Sequence, residues 1–114
     1  MAVQVPTPLF PPTTLGTSNV TLYTLATTPS TLVLRNVRMR FANISAFTHS
    51  VTAYAVPAGG SPGVANECVS TEGVAGNSHL DVDMPALGPG GIYAASADVG
   101  GAIVAFDIGA ILFS

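Results

Sequence analysis

Charged residues are scarce in this sequence. Only nine of the 114 residues are charged, three arginines and six acidic residues, and lysine is absent. A soluble monomer usually carries charge on roughly a quarter of its residues. A folded chain of this mass should expose on the order of 5,800 Å², and nine charged side chains cover little of that area. The composition therefore predicts a subunit of a larger assembly rather than a free enzyme.

Other scarcities exclude further classes of function. The net charge of −3 leaves too few cations to bind a phosphate backbone, so nucleic acid is not expected as the main partner. The single cysteine, Cys68, excludes an internal disulfide and fits a small buried hydrophobe. No apolar run reaches the roughly 20 residues of a membrane-spanning helix, and the first residues lack the regions of a secretory signal. We predict no membrane partner and no export.

Prolines are concentrated near the N-terminus, where four of them fall within residues 1–19. Proline fixes φ and removes a backbone donor, so this segment is predicted to be extended rather than helical. It is also more apolar than a solvated tail requires. These properties favour an arm that docks on a partner or on a neighbouring subunit. The predicted partner-contact residues of the arm are Val5, Leu9, Phe10 and Leu15.

From residue 20 onward, short apolar segments alternate with turn signals. The predicted strands cover residues 20–25, 32–43, 51–56, 66–71, 79–84, 92–97 and 102–113. They show the alternation of half-buried strands, and no long stretch keeps a helical period. Seven or eight such strands indicate an all-β fold. We predict that residues 20–114 form one antiparallel β-sandwich with either jelly-roll or immunoglobulin-like connectivity.

The three arginines lie on one predicted strand. A period of two places Arg38 and Arg40 on the same face of it. Two roles are open for these cations: local ion pairs with Asp81 or Asp83, or a docking stripe for an acidic partner surface. On the second interpretation, Arg38 and Arg40 are predicted partner contacts.

No pattern in the sequence predicts catalysis or a bound cofactor. His79, Asp81 and Asp83 lie on one strand face, where neighbouring side chains are roughly 6.6–7 Å apart. One metal ion could hardly reach all three, so a solvated polar face is the simpler interpretation. Ser78 precedes His79, but adjacent strand residues point to opposite faces, so the two are not expected to act as a nucleophile and its base. We therefore predict no catalytic, cofactor-binding or metal-binding residue, and no enzyme activity.

Three segments of the chain carry a family resemblance. They read LYTLATTPSTLVLRNVRMRFAN at 22–43, VTAYAVPAGGSPGVANECVS at 51–70 and LDVDMPALGPGGIYAASADVGGAIVAFDIGAI at 80–111. Together they resemble small virion structural proteins of tailed bacteriophages, in which similar strand and loop patterns recur. The likeness covers residues 22–111, which is most of the chain, whereas the proline-rich arm has no counterpart in it.

The resemblance implies a β-sandwich that decorates or cements a capsid. Such a protein would bind the major capsid protein as a homotrimer, on the surface of a virion assembled in the bacterial host cytoplasm. No functional residue is transferred, because proteins of this kind bind through whole surfaces. Two alternatives stay open: a phage tail or fibre component, and a carbohydrate-binding jelly-roll module, which the absence of tryptophan disfavours.

Overall fold

Nearly all of the regular secondary structure in this chain is β-strand. The structure is a computed structural model and describes residues 2–5 and 8–114. Within them lie a short 3-10 turn at Val64–Asn66 and nine strands. The strands are β1 (Ala2–Gln4), β2 (Thr13–Thr14), β3 (Val20–Thr24), β4 (Val33–Asn43), β5 (His49–Val56), β6 (Glu67–Val74), β7 (His79–Met84), β8 (Ile92–Ala97) and β9 (Ile103–Phe113). The prediction of an all-β sandwich is confirmed, and each predicted strand is present within a few residues.

The strands form two sheets, and their order identifies the connectivity. In the first sheet the order is β1–β9–β4–β7, with β2 also pairing with β9, and in the second it is β3–β8–β5–β6. The pairs β2–β9, β3–β8, β4–β7 and β5–β6 are all antiparallel. Rolling up one long antiparallel hairpin generates this set of pairs, which is the jelly-roll arrangement. The immunoglobulin-like alternative groups its strands differently.

Alternating side chains from both sheets build one hydrophobic core. On β4, Val37, Met39 and Phe41 are fully buried, as their period of two predicts. The largest buried side chain is Tyr93 on β8, whose hydroxyl donates a 2.6 Å hydrogen bond to the carbonyl oxygen of Pro85. Burial raises the pKa of the Tyr93 phenol. The two sheets therefore share a single packed interior, in which this hydroxyl has a hydrogen-bond acceptor.

The described residues of the predicted N-terminal arm include two short strands, and both strands lie against the chain's own sandwich. Strand β1 pairs with the end of β9, and β2 pairs with the start of the same strand. Between them, the Val5 amide donates to the carbonyl oxygen of Ala110 at 3.0 Å. Phe10 and Leu15 are only 5% and 1% exposed and belong to the core. The boundary predicted at residue 19 therefore does not separate an arm from the sandwich, because these side chains complete the core beside β9.

Candidate binding surface

The predicted arm contacts point inward in the structure. Val5 and Leu9 are half-buried and pack against the hydrophobic core, and Phe10 and Leu15 are part of it. These four side chains stabilise the chain's own fold. Phe10 and Leu15 could contact a partner only if the N-terminal segment detached from β9, whereas Val5 and Leu9 keep part of their surface exposed.

A buried acid holds this segment in place. Asp107 on β9 is 3% exposed, and its Oδ1 accepts hydrogen bonds from the backbone amides of Leu9 and Phe10. Its Oδ2 has no hydrogen-bond partner among the described residues. A buried amide that lost this acceptor would be left without a hydrogen-bond partner, at a cost to stability. Asp107 therefore fixes the point at which the chain enters the core.

Arg40 is committed to an ion pair within the sheet. It lies opposite Asp81 in the β4–β7 pairing, and its Nε and Nη2 donate to the two carboxylate oxygens at 2.8 and 2.9 Å. These hydrogen bonds lower the pKa of the Asp81 carboxyl below its usual range. Arg38 lies opposite Asp83 but is more loosely paired, with 3.6 Å between Nε and Oδ1. The structure thus shows a local ion pair for Arg40, while Arg38 keeps much of its hydrogen-bonding capacity.

The acidic side chains of β7 pair with arginines of β4. His79 Nε2 lies 4.0 Å from an oxygen of Asp81, which is already engaged by Arg40. Across residues 2–5 and 8–114, no group of three or more His, Cys, Asp or Glu side chains is placed to hold a metal ion. Asp81 and Asp83 instead form cross-strand polar pairs with Arg40 and Arg38, whereas His79 lies opposite Ala42.

Cys68 is a packing residue in this structure. Its Sγ lies 3.4 Å from the carbonyl oxygen of Ala53 and 3.8 Å from the Sδ of Met84. Burial raises the pKa of the thiol. The thiolate is the reactive form of cysteine, and this environment disfavours it.

A feature that the sequence did not reveal lies at one end of the sandwich. The loop of residues 44–48 joins β4 to β5, and we call it the Phe47 loop. Phe47 is 75% exposed and Ile44 is 63% exposed. Single exposed apolar residues are ordinary on protein surfaces, but here two large ones occupy the same short loop. Their exposure makes this loop the candidate binding surface.

Hydrogen bonds hold the Phe47 loop in one conformation. Asn43, at the end of β4, is 2% exposed, and its Nδ2 donates to the carbonyl oxygens of Phe47 at 2.7 Å and Val74 at 2.9 Å. Its Oδ1 accepts from the Ser45 amide at 3.0 Å. The Ser45 hydroxyl also donates to the Phe47 carbonyl at 2.9 Å. The backbone on both sides of the exposed phenyl ring is therefore fixed before any partner binds.

The turn of residues 75–78, which joins β6 to β7, packs against the Phe47 loop. The Asn77 amide donates to the carbonyl oxygen of Ser45 at 2.8 Å. Gly76 lies so close that a Cβ at this position would overlap the Ala46 carbonyl group. Glycine is thus required here by close approach of two backbones. The 75–78 turn and the Phe47 loop form one rigid unit.

This unit has the physical properties of a binding anchor. An aromatic side chain contributes most to association when it enters a pocket and loses little conformational freedom. Phe47 has only two side-chain torsions, and its backbone is already ordered. The sequence around it, Asn43 to Phe47, resembles an ordinary turn, so no local signal pointed to an exposed anchor.

Comparisons with known proteins identify no relative. No protein-family model, no curated protein and no solved structure is significantly similar to this chain. Among the described residues, no helix is long and apolar enough to cross a bilayer.

Proposed function

We propose that this protein is a structural virion protein that decorates and cements a bacteriophage capsid by bridging neighbouring major capsid subunits. The observation that carries the proposal is the Phe47 loop, which holds two large apolar side chains in solvent on a charge-poor sandwich. Burial of a phenylalanine contributes about 1.5–3 kcal/mol. A protein that binds only the assembled shell stabilises it by mass action. The role is structural, without catalysis or a cofactor.

The edges of the two sheets support attachment through loops and faces rather than through strand addition. The edge strand β6 contains a bulge, where Thr71 has a φ of 49°. The edge strand β7 carries Asp81 and Asp83, and β3 is only five residues long. Bulges, charges and short length are devices that discourage pairing with another chain. A specific partner is therefore expected to contact the loop end or a sheet face.

We also propose that the protein associates as a homotrimer. Strands β3, β5 and β8 of the second sheet contain no Asp, Glu, Lys or Arg. The acidic residues of this sheet, Glu67 and Glu72, lie on its edge strand β6. A sheet with so few charges is suited to burial between subunits. Analytical ultracentrifugation should give three times the chain mass of 11.5 kDa, or cryo-electron microscopy should show three-fold contacts on the particle. Isolated monomers on the particle would contradict the trimer.

The attachment is tested by adding the recombinant protein to shells that lack it. Phe47→Ser should weaken binding by roughly 10- to 150-fold, because the burial energy of the ring is lost. Val64→Ser is the matched control, since Val64 is 89% exposed but lies in the loop at the opposite end of the sandwich. Thermal unfolding of Phe47→Ser should match that of the wild type. Equal binding of the wild type and Phe47→Ser would contradict the proposed anchor.

Mass spectrometry of purified virions tests the placement. A capsid decoration protein should be present in a copy number comparable to that of the major capsid protein. A few copies that fractionate with tails would favour a tail or fibre component instead. Binding of the wild-type protein to a polysaccharide array, with no affinity for shells, would favour the carbohydrate-binding alternative.

A further inference from the structure

A bulge in β4 turns an additional arginine toward solvent. The pairing with β9 passes from Arg35 opposite Ile111 to Arg38 opposite Gly109, so β4 contains one extra residue at this point. Asn36 lies within the bulge with a φ of 54°, in the left-handed region that Asn tolerates better than most residues. The chain thus departs from regular strand geometry between two cations.

The bulge changes the face on which Arg35 lies. In an unbroken strand, Arg35 would share the inward face of Val37 and Met39, because side chains two apart point the same way. In the structure Val37 and Met39 are buried, whereas Arg35 is exposed, as is Arg38 three residues later. The irregularity therefore brings two guanidinium groups to the same side of the sheet.

These two guanidinium groups are only weakly engaged. Arg35 forms no ion pair with any residue that the structure describes, and its Cζ lies 5.5 Å from the centre of the Phe113 ring. Arg38 and Asp83 are separated by 3.6 Å, and their side chains are 55% and 89% exposed. Arg40, by contrast, uses two donors on Asp81. Exposed, loosely paired ions exchange partners readily.

A surface depression lies between the two arginines. It encloses about 540 Å³ and is lined by both guanidinium-bearing residues and by Asn36 and Asp83. The apolar residues Val37, Met84 and Ala86 also contribute to it. The depression thus combines cationic groups with apolar surface, which suits an acidic side chain flanked by apolar ones.

We propose that Arg35 and Arg38 bind a carboxylate of a protein partner in this depression. A guanidinium group matches a carboxylate with two parallel hydrogen bonds. An extended polyanion does not fit as well, because only three arginines are present and the chain carries a net charge of −3. Asp83 would release Arg38 when the partner's carboxylate enters.

This site would supply a second contact for the proposed bridging of capsid subunits, and that role rests on the proposed function. Asn43 lies seven positions after Asn36 on β4, which corresponds to roughly 23 Å along the strand. The carboxylate site and the Phe47 loop are therefore well separated along the molecule, which extends 43 Å in its longest direction. A protein that bridges two neighbouring subunits needs two such separated contacts. The Phe47 loop would bind one subunit, and Arg35 and Arg38 the other.

A peptide titration tests the site without any particle. The side-chain Nε–Hε resonances of ¹⁵N-labelled protein are followed while an alternating Glu-Leu pentapeptide, its Gln-Leu counterpart or inorganic triphosphate is added. The Glu peptide should shift the Arg35 and Arg38 resonances at least threefold more than that of Arg40, and the Gln peptide should not. Equal shifts for all three arginines would overturn the proposal. Shifts with triphosphate but not with the Glu peptide would overturn it in favour of a small-anion site.

Binding to shells provides the second arm of the test. The double variant Arg35→Gln/Arg38→Gln should bind about 10-fold more weakly and with less dependence on salt. Arg40→Gln is the matched control and should stay within twofold of the wild type, whereas Asp83→Asn should bind more tightly because it removes the internal competitor. If the wild type binds and the double variant binds equally well, the carboxylate site is wrong and the proposed function stands. If the wild type itself does not bind shells, the proposed function fails, and the peptide titration still decides the site.

Discussion

Replacement of Asn43 by alanine tests whether the hydrogen bonds of its side chain hold the Phe47 loop in place. The side chain makes three hydrogen bonds, to the carbonyl oxygens of Phe47 and Val74 and to the amide of Ser45, and it is 2% exposed. Each such bond contributes about 1 kcal/mol net, and a buried group left without a partner adds to the loss. Asn43→Ala should therefore lower the free energy of unfolding by roughly 2–4 kcal/mol.

The assay is thermal and chemical unfolding followed by circular dichroism. For a chain of this length, each 1 kcal/mol shifts the Tm by about 4 °C, so the Tm should fall by roughly 8–16 °C. Asn19→Ala is the matched control, because Asn19 is exposed and its side chain forms no hydrogen bond with a described residue. It should change the free energy by less than about 0.5 kcal/mol. A similarly small change for Asn43→Ala would refute the reasoning.

Asn43→Asp adds a pH test of the same network. An ionised carboxylate cannot donate to the two carbonyl oxygens, so the folded state favours the protonated form and raises the pKa of the introduced acid. The destabilisation caused by ionisation of the introduced aspartate is then absent below its unfolded pKa of about 3.9. It grows as the pH rises toward the folded pKa. The stability difference from the wild type should be smallest near pH 3.5 and largest at neutral pH. A difference independent of pH would contradict this account.

Three further predictions concern the core and its buried groups. Asp107→Ala should speed hydrogen exchange at the Leu9 and Phe10 amides, whereas Asp107→Asn, which keeps an acceptor oxygen, should largely preserve their protection; equal exchange in both variants would contradict the role of Asp107. Leu15→Ala should lower the free energy of unfolding by about 2–5 kcal/mol. A loss below about 1 kcal/mol would indicate that Leu15 belongs to an arm that can detach from the core. Because burial raises the pKa of Cys68, its alkylation should be slow at neutral pH. The reaction should accelerate only in denaturant or above the pH at which an ordinary thiol ionises. Rapid labelling of the native protein at neutral pH would contradict this prediction.

The strands could be predicted from the sequence because their burial follows a local period. The strand His79–Met84 has the same bounds in the structure as in the prediction, since Leu80 and Val82 alternate with Asp81 and Asp83. The connectivity could not be predicted in this way. It depends on which distant strands pair, such as β2 with β9, and no local pattern specifies that choice.

The candidate site could be predicted only in part. The arginines were recognised as a group, but the sequence analysis assigned only Arg38 and Arg40 to a shared face. Arg35 joins Arg38 on one side through the bulge at Asn36, which has no clear local signal in the sequence. The apolar residues Phe10 and Leu15 were assigned to a partner interface because a sequence shows that a side chain needs burial, not which surface buries it. The exposure of Phe47 depends on hydrogen bonds from Asn43 and on the approach of a separate turn.

Cryo-electron microscopy of the virion that contains this protein tests the central claim most directly. The account predicts density for the jelly roll on the outside of the capsid, with the Phe47 loop inserted in an apolar pocket of a major capsid subunit. It also predicts a second contact near Arg35 and Arg38 to a neighbouring subunit. Density for the protein in the tail, or a capsid-bound protein whose Phe47 loop faces solvent, would contradict the account.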